Sequence, residues 1–345
     1  MADVFDDARL DDRDVLEAAD APLRRLAESG ARVRLEAGGA ADSVAGLERD
    51  AMPRAIVAAG ADARLLRAVL EPWCPVPFVA WPGPSLPGWA GALDLVIVLA
   101  PAGGDAHTAS AVREAVRRGC SLITACPPHS VLAEHAHGRH SSVLPTQTDD
   151  TLAVAVVMLQ ALHRIGVGPE VGDDDVARVL DEVAMACSPR ADIASNPAKD
   201  LALMLADSLP LVWGGSVLAA RAARRVAEAL RRTTGRPALA ADAGLLLPVL
   251  EATRARDLFA DPFEADGTAP SRACLLILDD GTEEATIREE RGRLTTTAVA
   301  HDVRSHTIDA TEGAEVARYA ALLTTGAYAA TYLGIGLARD DGESR

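Results

Sequence analysis

One stretch of the sequence, residues 93–125, constrains the fold more than any other. Residues 93–100 are a nearly continuous apolar run, whose length and β-branched content predict a strand buried on both faces. After a Pro/Gly turn, apolar residues recur at helical spacing from 106 to 118, and Gly119 is a natural helix stop. A second apolar run begins at Ser121. Strand, turn, helix and strand in this order predict a βαβ unit and therefore a parallel sheet.

The same pattern recurs in both halves of the chain. Residues 54–59 and 63–70 predict a strand and a helix, and in the second half Gly214-Gly215-Ser216 separates a strand at 209–213 from a helix at 217–232. Polar, aperiodic residues 129–150 are predicted to end the first domain. The sequence therefore predicts an α/β fold of two flavodoxin-like domains, 1–148 and 149–345, each a mostly parallel sheet flanked by helices.

Further elements follow from the same periodicities. Strands are predicted at 76–80 and 273–278, and an extended segment at 298–308. Helices are predicted at residues 11–30, 151–166, 173–187, 244–254, 283–293 and 312–337, and a looser helical segment at 38–51.

Charge and cysteine content exclude several classes of function. The chain has 50 acidic and 34 basic side chains, a formal net charge of −16. This field repels nucleic acid and anionic membranes, and opposes a phosphorylated ligand unless local donors compensate. The five cysteines are scattered and are predicted to be reduced and mostly buried. The longest apolar stretch, residues 152–162, is too short to span a bilayer, and we expect a cytoplasmic protein.

Ligands of parallel sheets bind at the carboxyl ends of the strands, so residues 100–108 are the first candidate site. Asp105 and His107 are compatible with a carboxylate–imidazole pair, or Asp105 caps the following helix. Gly214-Gly215-Ser216 is compatible with a phosphate-binding turn, or with a tight turn in which Ser216 caps the helix.

Four other groups of polar residues allow two interpretations each. His135, His137 and His140, with His129 nearby, fit either a zinc site or a solvated loop. The run from Asp173 to Asp175 fits a divalent-cation site or a solvated helix start. Lys199 is a site or structural lysine, or an exposed first-turn residue. A basic helix face pairs with carboxylates or binds a polyanion; its residues are Arg221, Arg224, Arg225, Arg231 and Arg232.

Two segments of the second half resemble a known family. Asn-Pro-Ala-Lys-x-Leu-Ala at 196–202 and the strand-Gly-Gly-Ser-x-x-x-Ala-Ala-Arg-Ala-Ala pattern at 209–223 are similar to sugar isomerase (SIS) domain proteins, nearest to the bifunctional phosphoglucose/phosphomannose isomerases. Residues 328–333 are similar to the last helix of that family. The resemblance implies two SIS domains, a sugar-phosphate ligand and a homodimer, without a cofactor or a metal ion.

The resemblance also implies positions for the substrate. The family's first glycine turn aligns with residues 59–63, its second loop with 100–105, and its catalytic glutamate segment with 233–236. The predicted substrate-binding residues are Gly60, Gly103, Gly104, Asp105, His107, Thr108, Gly215, Ser216, Thr233 and Arg236.

The chemical groups of the family do not align with this chain. The serines of both loops are replaced, threonine stands where the base is needed, and residues 245–259 contain no ring-opening histidine. After Leu337, where the family has a lysine, the chain offers Arg339. We therefore predict a protein that binds a sugar phosphate or a related carbohydrate derivative with lost or altered catalysis. The alternative is an active aldose–ketose isomerase acting on hexose 6-phosphates, for which Glu251 with His301 or His306 are the candidate groups.

Overall fold

A computed structural model describes residues 4–48, 51–60, 62–253 and 272–338 of the chain. The chain divides into two compact units. The first-sheet unit is Ser29–Arg178, and the second-sheet unit is Met1–Glu28 together with Val179–Arg345. Arg339 and the segment between Thr253 and Arg272 lie outside the described residues.

Helices and strands alternate through most of the described chain. The helices are α1 (Arg13–Ala18), α2 (Asp20–Ala27), α3 (Ser29–Ala45), α4 (Ala63–Leu70), α5 (Ala106–Arg118), α6 (Val131–His135), α7 (Thr151–Arg164), α8 (Asp173–Ala186), α9 (Pro197–Leu205), α10 (Val217–Thr234), α11 (Ala243–Glu251), α12 (Ala285–Ala300) and α13 (Glu315–Gly336). The strands are β1 (Ile56–Ala59), β2 (Phe78–Trp81), β3 (Leu95–Leu99), β4 (Ser121–Cys126), β5 (Ser141–Pro145), β6 (Ser208–Gly214), β7 (Leu239–Ala240), β8 (Arg272–Asp279) and β9 (Arg304–Asp309).

Both sheets are parallel throughout. The first has the strand order β2-β1-β3-β4-β5, and the second has the order β7-β6-β8-β9. Each is flanked by helices, so the α/β class with two mostly parallel sheets is confirmed. Central strands β1 and β3 are buried at every position because helices cover both faces, as their continuous apolar sequences predict.

The βαβ unit predicted within residues 93–125 is present as β3, α5 and β4. Helix α5 begins at Ala106 and ends at Arg118, and its last carbonyls bind the backbone amide of Gly119, which has a φ of 71°. Residues Val96 and Leu122 pair directly across β3 and β4. Val112 and Ala115 of α5 pack under this pair in a shared apolar cluster.

Several predicted elements differ from the structure. Residues 129–150 are not aperiodic: they contain α6 and β5. Strand β5 is half-buried at the sheet edge, where Ser141 and Ser142 are tolerated, so its sequence lacks an apolar run. The single helix predicted at 11–30 is divided into α1 and α2 before α3 begins. Helix α12 extends to Ala300, beyond its predicted end, and the extended segment begins only at Arg304.

The first residues of the chain belong to the second-sheet unit. In this N-terminal segment (residues 5–27), the amide of Asp6 donates to the Gly336 carbonyl at 2.9 Å, and Leu10 is fully buried. A Cβ on Gly336 would meet the Phe5 ring at 2.1 Å, which shows how closely the segment approaches α13. A division at 148/149 would group the N-terminal segment with the first sheet and α7 with the second. The two compact units group each of them with the other sheet, and the division at 148/149 stays a prediction.

Candidate functional site

Two glycine turns meet at the carboxyl edge of the first sheet. Gly60 follows β1 with a φ of 95°, and Gly103 and Gly104 follow β3 with φ of 90° and 76°. A Cβ on Gly60 would lie 3.0 Å from Thr108 Oγ1, and one on Gly104 would lie 3.4 Å from Thr108 Cγ2. The absence of side chains at these glycines therefore brings both turns against the first turn of α5.

Asp105 caps this helix. Its Oδ1 accepts the backbone amide of Thr108 at 2.8 Å, which confirms the capping interpretation. Hydrogen bonds from the amide and then the hydroxyl of Thr108 lower the pKa of Asp105, with a smaller electrostatic contribution from His107. The carboxylate is therefore charged at neutral pH. Thr108 is buried, whereas Asp105 and His107 are exposed.

This edge offers both donors and a negative charge to a ligand. The first-turn amides of Ala106 and His107 have no partner within α5 and carry the positive end of its dipole. The Asp105 carboxylate stands beside them and opposes an anion. Ser130, which caps α6 in the turn after β4, already donates to the Pro127 carbonyl and accepts the Ala133 amide.

The donors at the end of β5 are already bound to a carboxylate of the protein. Glu36 of α3 is fully buried and accepts the backbone amides of Gln147 and Thr148. Asp150, which caps α7, forms an ion pair of 2.8 Å with Arg32. Neither carboxylate was identified from the sequence, because its partners lie more than 100 positions away.

In the second-sheet unit, the glycine turn after β6 is closed around its own residues. A Cβ on Gly214 would lie 2.3 Å from the Ala219 carbonyl, and one on Gly215 would lie 2.3 Å from Ile287. Ser216 accepts the Ala219 amide at 3.0 Å, so it caps α10, and its hydroxyl donates to Asp280. A carboxylate of the protein thus occupies the position beside Ser216 that a bound anion would take.

Asp280, the partner of the predicted site residue Ser216, was not identified from the sequence. It is buried, and the guanidinium of Arg318 donates to its carbonyl oxygen. The preceding Asp279 pairs with Arg291. The sequence contains a signal for this residue. Asp279 and Asp280 directly follow the strand predicted at 273–278, and the carboxyl end of a parallel strand is where ligand-binding residues are expected.

Thr233 and Arg236 are not brought together with Gly215 and Ser216. They lie at the other end of α10, and 17 residues of helix between Ser216 and Thr233 correspond to about 26 Å. Arg236 donates there to the Ala206 carbonyl, before β6 begins. The predicted set is therefore divided between the first carboxyl edge, the turn after β6 and the amino-edge side of the second sheet, and its role in substrate binding stays a prediction.

Lys199 is a structural residue in this fold. It is fully buried, and its ammonium donates to Asp11 at 2.9 Å, to the Ala191 carbonyl at 2.8 Å and to the Pro189 carbonyl at 3.2 Å. The interpretation as an exposed first-turn residue is wrong. Its three protons are all engaged, so none is left for a ligand.

The residues considered for an active isomerase all lie in the second-sheet unit. Glu251 is the last residue of α11 and lines a cavity of about 400 Å³ against α12. His301 follows the last turn of α12, and His306 lies within β9.

Other polar groups form local pairs. The basic face of α10 pairs with carboxylates, as Arg225 and Arg232 each lie 2.9 Å from Glu228. At the start of α8, Asp173 accepts from Gln160 at 3.0 Å and Asp174 lies 3.9 Å from Arg34. Among the described residues, no group of three or more His, Cys, Asp or Glu side chains is arranged to hold a metal ion.

All five cysteines are free, four of them buried and Cys74 half-buried, as the sequence predicted. In the described part of the chain, no helix is both long enough and apolar enough to cross a membrane.

Comparisons with known proteins place these two parallel sheets with their glycine turns beside known folds. Residues 194–343 match the model of the bacterial phospho-glucose isomerase C-terminal SIS domain. The C-terminal part of the chain is therefore similar to the SIS domain of the bacterial phosphoglucose isomerases. None of the curated proteins compared with the sequence matches it.

Solved structures share the fold at low identity. The C-terminal domain of glucosamine-fructose-6-phosphate aminotransferase from Francisella tularensis has a TM-score of 0.65 at 13% identity, over 93% of this chain and 99% of that one. Tagatose-6-phosphate ketose/aldose isomerase from Escherichia coli has a TM-score of 0.64 at 13% identity, over 94% of each chain. A glucose-6-phosphate isomerase like protein from Thermus thermophilus has a TM-score of 0.56 at 17% identity, over 94% of this chain and 92% of that one.

Proposed function

We propose that this chain binds a carbohydrate derivative, in the first instance a sugar phosphate, at the carboxyl edge of the first sheet, and that its catalysis is lost or altered. The observation that carries the proposal is the convergence of Gly60 and Gly104 on Thr108, with Gly103 beside Ser130. Glycine turns against a helix start let a ligand approach the backbone amides closely. The relatives named for phosphosugars support the choice of ligand.

The residues at this edge support the proposal of lost or altered catalysis. An aldose–ketose isomerase needs a base beside the carbon that loses its proton and an acid to open the ring. Asp105 is held by the Thr108 amide, and Ser130 has both a donor and an acceptor partner, so neither is prepared for proton transfer. Binding of a sugar without turnover is consistent with the hydrogen bonds of Asp105 and Ser130. Cytoplasmic location and a homodimer remain part of the proposal.

Calorimetric titration tests the proposal directly. Fructose 6-phosphate and glucose 6-phosphate are titrated into the full chain, beside fructose and glucose. We expect saturable binding of the phosphorylated sugars only. The Asp105→Ser variant keeps a capping oxygen and removes the charge, so the phosphorylated sugar should bind about fivefold more tightly, as about 1 kcal/mol of repulsion at 4 Å in water implies.

Glu114→Gln provides the control for charge. It removes a carboxylate from the same helix, about 13 Å further along, and should leave affinity unchanged. If no phosphorylated sugar binds either the unmodified chain or the Asp105→Ser variant, the proposal fails. Solvent deuterium entering the bound sugar at C1 or C2 would instead favour the active isomerase.

A further inference from the structure

A second candidate ligand site lies in the second-sheet unit, away from both glycine turns. It is a cavity of about 350 Å³ between the N-terminal segment and the ends of α10 and α13. Its volume is within the range of small-molecule sites, at the lower end. The polar lining side chains are Arg9, Asp14, Thr233 and Thr331.

Arg9 supplies the cation of this cavity. It is half-buried, and its Nε donates to the Ile335 carbonyl at 2.7 Å. Within the described part of the chain, its two terminal nitrogens have no protein partner. A guanidinium fixed through Nε presents these nitrogens as a planar fork, which matches the two oxygens of a carboxylate.

The other polar groups of the cavity can all accept hydrogen bonds, and the Thr233 hydroxyl can also donate one. The carboxylate of Asp14 and the hydroxyl of Thr233 have no hydrogen-bond partner among the described residues. Thr331 donates to the Ala327 carbonyl at 3.0 Å, so its oxygen can still accept. A ligand that satisfies these atoms carries hydrogen-bond donors as well as an anionic group.

The rest of the lining and the charge of Asp14 limit the ligand further. Val15, Pro22 and Ile335 are apolar walls that suit carbon atoms rather than a second charged group. The carboxylate of Asp14 lines the cavity beside the guanidinium of Arg9 and disfavours a second negative charge, such as that of a phosphate monoester. These properties together fit a small molecule with one negative charge.

We propose that this cavity binds a small monocarboxylate that carries hydroxyl or ammonium donors. The Arg9 fork holds its carboxylate, and Asp14 and the two threonines accept its donors. The segment that carries Arg9 and Asp14 is fixed in place, since Asp6 binds the Gly336 carbonyl and Asp11 binds Lys199. A site on a fixed segment loses little entropy when the ligand binds.

The test uses the full chain with D-gluconate and L-alanine as probes, and propionate as a carboxylate without additional donors. We expect saturable binding of gluconate, alanine or both by calorimetry, and weaker binding of propionate. Arg9→Gln should reduce the affinity about tenfold, because the charged fork is lost. Gluconate binding alone identifies hydroxyl recognition, and alanine binding alone identifies ammonium recognition.

Arg13→Gln is the matched control. Arg13 lies four residues from Arg9, is exposed, pairs with Glu17 at 2.8 Å and does not line the cavity, so its loss should leave affinity within about twofold. If Arg9→Gln lowers the melting temperature sharply, Thr233→Val supplies the second variant. It should weaken binding of the preferred probe without changing the affinity for propionate.

Two outcomes would overturn the proposal: neither probe binds saturably, or Arg9→Gln and Thr233→Val both bind the probes as the unmodified chain does. Asp105→Ser separates this site from the carboxyl edge of the first sheet. It should change the affinity for sugar phosphates and leave that for the carboxylates unchanged. Failure of one proposal is therefore distinguishable from failure of the other.

Discussion

The ammonium nitrogen of Lys199 lies 2.9 Å from Oδ1 of Asp11, a residue 188 positions earlier in the chain. Two backbone carbonyls accept its other protons. The centroid of the Tyr332 ring lies 5.7 Å from the same ammonium nitrogen. A lysine that is fully buried keeps its charge only with such partners. This contact joins the N-terminal segment to α9.

Replacing Lys199 with Met should destabilise the chain by about 2–4 kcal/mol, because the carbonyls of Pro189 and Ala191 lose their donor in a buried place. Urea unfolding followed by circular dichroism measures the change. Asp11→Asn is the control: Asp11 is half-exposed, so losing its charge should cost about 1 kcal/mol or less. Equal effects of the two variants would contradict the structural role assigned to Lys199.

The buried carboxylate of Glu36 should be equally sensitive to substitution. Glu36→Ala leaves the amides of Gln147 and Thr148 without an acceptor, at a cost of about 2–3 kcal/mol. Glu36→Gln retains an acceptor oxygen and should lose less. Thermal unfolding distinguishes the two, and an alanine variant as stable as the glutamine variant would show that solvent reaches these amides.

The local pattern of the sequence predicts much of the fold and little of the site. The bounds of α5 are correct because apolar spacing and the Gly119 stop lie within the helix itself. Strand β5 was not predicted because the residues of this edge strand are half-exposed, so its sequence needs no apolar run.

The contacts of the candidate site could not be predicted from the sequence for a different reason. Asp280 reaches Ser216 across 64 positions, and Lys199 reaches Asp11 across 188. No periodicity within either segment encodes the partner, because each contact depends on how the sheet and its helices pack. The residue types were recognisable from the sequence; their pairing was not.

Asp105 should stabilise α5 in a pH-dependent way. Asp105→Ala removes the cap and should cost about 1 kcal/mol at pH 7, whereas Asp105→Ser should cost less. The folded pKa of Asp105 is lowered, so its contribution is complete above the unfolded value near 3.8 and is lost as pH falls below it. Melting temperatures from pH 7 to pH 3 test this: the gap between the unmodified chain and Asp105→Ala should narrow with acid. A constant gap would contradict it.

Two glycines should differ in why they resist substitution. Gly119 has a φ of 71° and open space around it, since a Cβ would meet nothing closer than 3.9 Å. Gly119→Ala should therefore cost about 1 kcal/mol through backbone strain, and Gly119→Asn less. Gly214→Ala places a Cβ 2.3 Å from the Ala219 carbonyl and should cost about 3 kcal/mol. Unfolding free energies in the opposite order would contradict this assignment.

The thiols should react at very different rates in the folded chain. Burial raises the pKa of Cys187 to about 12 and that of Cys274 to about 11, and Cys120 and Cys126 are also buried with raised pKa values. Cys74 is half-buried, so a disulfide reagent at pH 8 should label this thiol first. Cys74→Ser should remove the fast phase, and a second fast thiol in that variant would contradict the burial pattern.

The placement of the N-terminal segment on α13 has a consequence for synthesis. Ser29–Arg178 is continuous in sequence and can fold once it has left the ribosome, whereas residues 5–27 precede it and have their partners in α13, which follows it. During translation this segment therefore remains without these partners until α13 has been synthesised. A nascent chain stalled before α13 should have a folded Ser29–Arg178 unit and protease-sensitive residues 5–27.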